Sequence, residues 1–167
     1  MRIGLLSDTH SYLDERILHH LQDCDEIWHA GDVGDEKVLD QLEALAPLRA
    51  VSGNIDDRAV RLRCPETQLF TANGLKVLIH HIGGYPGRYA PPARALLLRE
   101  RPGLFICGHS HILRVMPDRQ LGLLHLNPGA AGRHGFHHMR TLLRFRIEAG
   151  KVLDMQAVEL GPRATKE

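Results

Sequence analysis

Short apolar runs alternate with amphipathic stretches through the first third of the chain. Ile3 to Leu6 reads as a buried strand, and Leu13, Ile17, Leu18 and Leu21 then recur at helical spacing, which predicts a helix over Asp14 to Gln22. Glu26 to Ala30 forms a second strand pattern. Glu36 to Leu45 reads as a helix with Val38, Leu42 and Leu45 on one face and Pro47 closing it, before a third strand over Leu48 to Val51. The order βαβαβ predicts a parallel sheet with right-handed crossovers.

Beyond residue 60 the pattern changes. Gln68 to Thr71 and Lys76 to Ile79 flank Asn73-Gly74, a hairpin signal. A Gly- and Pro-rich loop, Gly83 to Pro92, leads into a helix over Ala93 to Arg101, and Leu104 to Cys107 is the next apolar strand. Leu113 to Met116, Leu121 to Leu126, Thr141 to Glu148 and Val152 to Val158 then read as antiparallel strands. Leu143, Phe145 and Ile147 share one face of the third of these, and Ala149-Gly150 turns into the fourth. The pattern is that of a single α/β domain over 1–160, starting parallel and finishing antiparallel, with a flexible tail over 161–167.

Composition narrows the function. The 167 residues suffice for one core, and a formal net charge of +1 gives no global pull towards nucleic acid or anionic membranes. No apolar run approaches the roughly 18 residues of a membrane span, and Asp8 interrupts the first run before a signal peptide could form. Three widely spaced cysteines, Cys24, Cys64 and Cys107, suit reduced thiols and a cytoplasmic protein. The 12 histidines are the departure from the ordinary.

Many of them fall where apolar strands end. Asp8 and His10 follow the first strand, Asp32 the second, Asn54 the third, His80-His81 the hairpin's second arm, and His109 with His111 the strand after the helix. Ligands of α/β sheets bind outside the carboxyl ends of the strands. Four histidines, two aspartates and one asparagine provide enough nitrogen and oxygen donors for two divalent ions, one carboxylate serving both. Without a thiolate, the set suits Mn, Fe, Ni, Co or Zn. Either His80 or His81 can serve at the hairpin end.

Asp8-x-His10, Gly31-Asp32, Gly53-Asn54, one histidine after a strand, and Gly108-His109-x-His111, followed by Asn127-Pro128-Gly129, resemble the calcineurin-like metallophosphoesterases. Within them the short chain is most similar to the small YfcE-like phosphodiesterases. The resemblance implies a four-layer αββα sandwich of two mixed sheets flanked by helices. It also implies a dinuclear phosphoesterase that hydrolyses phosphodiesters with a hydroxide shared by the metals, manganese being the first expectation. Asp8, His10 and His111 would hold one ion, Asn54, His81 and His109 the other, and Asp32 both. A non-catalytic scaffold of the retromer-subunit type, a phosphomonoesterase and a nuclease are the alternatives.

Two departures stand out. His80-His81-Ile82 replaces the usual Thr-His-Gly, which places the ligand at His81 and leaves His80 as an alternative. Gly53-Asn54-Ile55-Asp56 puts isoleucine where many relatives carry the histidine that protonates the leaving group, as the YfcE-like group also tends to do. Asp56 is then a carboxylate that could orient an imidazole introduced at 55. Arg133, His134 and His137, in the loop from Gly129 to His138, are candidates for contacting the substrate phosphate. His29 reads as a packed or ligand-supporting residue, His19 and His20 as solvated or capping, His125 as structural and Cys107 as a small buried hydrophobe. A small phosphodiester is the expected partner, with no membrane and no nucleic acid. A rim over Tyr85 to Pro92 could serve a homo-oligomer.

Overall fold

The computed structural model describes residues 1–164. Both faces of β1 (Arg2–Leu6) are covered, so four of its five residues are buried. Asp14 ends the following loop by accepting a bond from the Ile17 amide at 3.0 Å, which caps α1 (Glu15–Leu21). β2 (Glu26–His29), α2 (Lys37–Glu43) and β3 (Leu48–Ala50) complete the βαβαβ unit, and β1, β2 and β3 pair in parallel as the patterning predicts.

A short helix absent from the sequence reading follows, α3 (Arg58–Arg63), capped by the Asp57 side chain on the Val60 amide. β4 (Thr67–Ala72) and β5 (Leu75–His80) make the expected hairpin around Asn73-Gly74. The predicted loop from Gly83 to Pro92 contains a two-stranded ribbon, β6 (Gly84–Tyr85) with β7 (Arg88–Tyr89). Helix α4 (Pro91–Glu100) starts two residues earlier than expected, because proline fixes φ and needs no amide partner in a first turn. β8 (Leu104–Ile106), β9 (Leu113–Asp118), β10 (Leu123–Pro128), β11 (Met139–Glu148) and β12 (Lys151–Pro162) follow.

The strands form two five-stranded mixed sheets, ordered β12-β11-β1-β2-β3 and β4-β5-β8-β10-β9. The strands after Cys107 are therefore divided: β9 and β10 join the hairpin sheet, whereas β11 and β12 return to the N-terminal one. β10 also pairs parallel with β8, so the second half is not purely antiparallel. Gly161 and Pro162 of the expected tail pair with Arg140 and Met139, and residues 165–167 lie outside the described residues.

Three apolar layers stack the fold. Ile17, Leu21, Leu39, Leu42 and Val60 of α1 to α3 pack on Leu6, Ile27 and Leu142. Ile3, Leu5 and Trp28 meet Val77, Ile79 and Ile106 between the sheets. Ala93 and Leu97 of α4 cover Leu78 and Phe105. The result is an αββα sandwich. Leu143, Phe145 and Ile147 face the inter-sheet layer, and Leu142 faces the helices, so alternation holds along β11 even where both faces are buried. Among the described residues no helix is long and apolar enough to cross a membrane.

Candidate metal centre

The strands β1, β2, β3, β5 and β8 all release their chains at one edge of the sandwich. The donors there form two groups, Asp8 with His10 and His111, and Asp32 with His81 and His109; within each, the ligand atoms lie within 4.8 Å of one another. Asp32 touches both: Oδ2 is 3.5 Å from His10 Nε2, and Oδ1 is 3.2 Å from His81 Nε2. Asn54 Oδ1 lies 3.1 Å from His81 Nε2 and 2.9 Å from His109 Nδ1, which completes the second group.

Individual atoms are committed in ways that leave the others free. Asp8 Oδ2 accepts from Ser7 Oγ at 2.6 Å and from the His109 amide at 3.1 Å. Its other oxygen, Oδ1, is buried without a hydrogen-bond partner, as is His10 Nε2. His81 Nδ1 donates to the Ala30 carbonyl at 2.7 Å, so the Nε2 of a neutral ring turns a lone pair towards Asp32 and Asn54 oxygens. His137 Nε2 donates to the Gly132 carbonyl at 2.9 Å, which makes its Nδ1 the acceptor for His111 Nδ1 at 3.3 Å. His111 Nε2 is thereby bare, 3.2 Å from Asp8 Oδ1.

Lone pairs converging on one another in a buried cleft are unfavourable unless a proton or a cation lies among them. Burial alone would lower the His81 pKa, but Asp32 and Asp8 outweigh it and raise it. Burial likewise works to raise the Asp8 and Asp32 pKa values, and the histidines, His111 at Asp8 and His81 at Asp32, hold both below the usual range. The chain compensates the two carboxylates with imidazoles. The two orphaned buried atoms and the all-nitrogen-and-oxygen donor set fit divalent ions of the Mn, Fe, Co, Ni or Zn type.

The backbone is bent to make this arrangement. Asp8, His10, Asp32, His109 and His111 have φ values of 54, 46, 55, 70 and 60°, in the left-handed region that L-residues other than glycine rarely occupy. Gly53 is required by approach: a Cβ there would stand 2.1 Å from Asp32 Oδ1.

Three supporting groups surround the donors, of which only His29 has a supporting role expected from the sequence. Asp56, expected as a partner for an imidazole at 55, is already engaged: its carboxylate accepts from the amides of Gly53 at 2.7 Å, Gly34 at 2.8 Å and Val33 at 3.2 Å. Asn127 Nδ2 donates to the Gly108 carbonyl at 3.0 Å and holds the turn before His109. Thr9 Oγ1 lies 2.9 Å from His29 Nε2, while His29 Nδ1 accepts from the Gly31 amide, so this fully buried imidazole ties the ends of β1 and β2 together. Burial pushes its pKa down to about 4, which keeps it neutral.

The remaining candidates separate. His80 Nδ1 pairs with Thr67 Oγ1 at 2.9 Å and belongs to neither donor group. His134 stacks on His10 with centroids 4.7 Å apart and lines the cleft with His137. Arg133 instead lies over the Tyr12 ring at 4.3 Å and is not part of the cleft wall. His125 is buried against Phe105 and Tyr89, away from this edge.

A four-layer α/β sandwich with aspartate, histidine and asparagine donors gathered at one sheet edge defines a metal-binding α/β protein. The chain belongs to the calcineurin-like phosphoesterase superfamily, whose family model matches residues 1–150. It is 34% identical over 137 residues, 78% of this chain and 77% of the relative, to a probable metallophosphoesterase of Methanothermobacter thermautotrophicus. Its fold is shared with an archaeal phosphodiesterase described as novel (TM-score 0.77, 20% identity, 95% of this chain and 99% of that one). It is shared equally with zinc-complexed Vps29 of Entamoeba histolytica (TM-score 0.73, 19% identity, 96% and 100%).

Proposed function

We propose that this chain is a metal-dependent phosphodiesterase working with two divalent ions, manganese foremost. Asp8, His10 and His111 would hold one ion, Asn54, His81 and His109 the other, and Asp32 would contribute one oxygen to each. The observation that carries the reading is the position of Asp32, with Oδ2 towards His10 and Oδ1 towards His81, beside the unpartnered Asp8 Oδ1. Divalent ions bound there would act as Lewis acids on a phosphoryl oxygen and lower the pKa of a water.

The protein's own part is orientation. Ser7 and the His109 amide turn Asp8 so that a single oxygen enters the site. Ala30 and His137 fix the tautomers of His81 and His111 with their Nε2 lone pairs inward. Asp56 and Gly53 hold the turn that carries Asn54. Such outer contacts are worth about 10–100-fold in metal affinity or activity. The archaeal phosphodiesterase neighbour supports the diester over the monoester, and the three buried free cysteines suit a reducing cytoplasm. A Vps29-like scaffold without activity is the competing reading, favoured by the shared fold.

The test is a metal titration of chelator-treated protein against matched phosphate mono- and diesters. Hydrolysis that returns with about two equivalents of manganese and favours the diester is the expected result. Two bound ions without turnover would support the scaffold, and full activity in rigorously metal-free protein would overturn the metal-dependent reading.

A further inference from the structure

The cleft above the donors has a polar floor and an apolar rim. It encloses about 530 Å³, enough for a phosphoryl group and one ring. Three hydrophobic side chains line it at the mouth and are left exposed: Ile55 at 46%, Ile112 at 54% and Phe136 at 99%. Two of these follow a donor directly in sequence, Ile55 after Asn54 and Ile112 after His111. Among the described residues that line the cleft there is no lysine or arginine.

Phe136 does not sit on a loose loop. On one side His134 stacks on His10, and on the other His137 pairs with His111. Between them Gly135, at φ +127°, runs so close to the site that a Cβ would stand 2.3 Å from His111 Nδ1. The backbone on both sides of the phenyl group is thus fixed to the donor groups. The ring itself is presented to water, where nothing offsets the unfavourable hydration of its faces.

We infer that this rim is a binding subsite for a planar aromatic substituent of the substrate, stacked on Phe136 and flanked by Ile55 and Ile112 while the phosphoryl group occupies the floor. This rests on the phosphoesterase reading and narrows it to esters that carry an aryl or nucleobase-type ring. A polyanionic strand is disfavoured, because the wall offers no cation for further phosphates. Free aryl esters and nucleotides share the required chemistry.

Calorimetry on manganese-loaded protein tests this without turnover, using methyl-, cyclohexyl- and phenylphosphonate together with thymidine 5′-phosphorothioate. Phenylphosphonate is expected to bind about tenfold more tightly than methylphosphonate, with the cyclohexyl compound between them. Phe136→Ala should bring the phenyl-to-methyl ratio to within about twofold at unchanged metal content. Tighter binding of the thymidine compound than of phenylphosphonate would assign the ring to a nucleoside, and weaker binding to a simple aryl ester. Equal affinity of wild-type protein for the methyl and phenyl compounds, a ratio that survives in F136A, or no phosphonate binding at all would overturn the subsite. Equal affinities alongside metal-dependent diester hydrolysis would remove the subsite and leave the phosphodiesterase reading intact. Ring-selective binding without hydrolysis would do the reverse.

Discussion

Replacing Asp56 tests whether the loops that carry Asp32 and Asn54 are held by one carboxylate. Its oxygens accept three backbone amides, two of them from the buried residues Val33 and Gly53. Hydrogen bonds to a charged group contribute about 1.5–3 kcal/mol each, and a buried donor left without a partner loses a comparable amount. The amide of half-buried Gly34 can turn to water, so Asp56→Ala should destabilise the protein by about 3–6 kcal/mol. With an unfolding entropy of about 2.1 cal/mol/K per residue, that is a fall in Tm of roughly 9–17 °C. Asp56→Asn keeps one acceptor oxygen but directs an NH2 at one of the amides, so about 1–3 kcal/mol, or roughly 3–9 °C, is expected. The assay is calorimetric melting in the presence of chelator, so that ion binding does not mask the change. An Asp56→Ala protein melting within about 3 °C of wild type would refute the assignment. Elemental analysis completes the test, since freeing the Gly53 amide should also loosen the Asn54 turn and lower the retained metal.

Three further outcomes follow from the geometry. His81→Ala should lose one ion per chain and His80→Ala should keep both, as measured by elemental analysis, because His80 is spent on Thr67; the opposite result would reverse the strand's facing. With Ile55 exposed on the rim and Asp56 already committed, no proton donor stands at position 55, and general acid catalysis is typically worth about 10²–10⁴-fold. The wild-type rate should therefore fall steeply as the leaving-group pKa rises, and a flat series with chemistry rate-limiting would mean that another acid acts, with His134 tested first. Burial holds the His125 pKa down to about 4. Its stabilising effect is complete above the unfolded value near 6.5 and is lost as pH falls from there towards 4, by about 1.4 kcal/mol per unit. Urea unfolding should then show a loss between pH 7 and 5 that is about 2 kcal/mol smaller in His125→Phe; equal losses would contradict it.

The donor positions were legible because each follows an apolar run too short to be anything but a strand. Asp8, Asp32, Asn54 and His109 are each the point where hydrophobicity stops. The register of Ile79-His80-His81 also carried through, since Ile79 faces the inter-sheet layer. What the pattern did not carry was the partition into two sheets: Val115 on β9 and Leu143 on β11 alternate alike, and nothing local says which sheet either joins. That came from the motif resemblance alone. Helix α3 was missed because Arg58-Ala59-Val60-Arg61-Leu62-Arg63 buries a single side chain, Val60, and its start depends on the Asp57 cap. Asp56 was misjudged because three amides from two loops meet it, a convergence with no sequence signature.

The left-handed backbone at Asp8, His10, Asp32, His109 and His111 sets a direction for how such a chain can change. Each of these residues holds a conformation about 1 kcal/mol or more above its relaxed alternatives, in a cleft that also crowds two carboxylates. In the absence of metal, replacing Asp8 or Asp32 by glycine relieves backbone strain and carboxylate repulsion together. Copies released from selection for metal binding would therefore gain stability by discarding the carboxylates first, since the histidines only compensate them. The sandwich beneath, sealed by its three apolar layers, would persist with its surfaces intact. A descendant without those carboxylates, used only for its outer faces, lies downhill in stability from this chain, and the return path climbs.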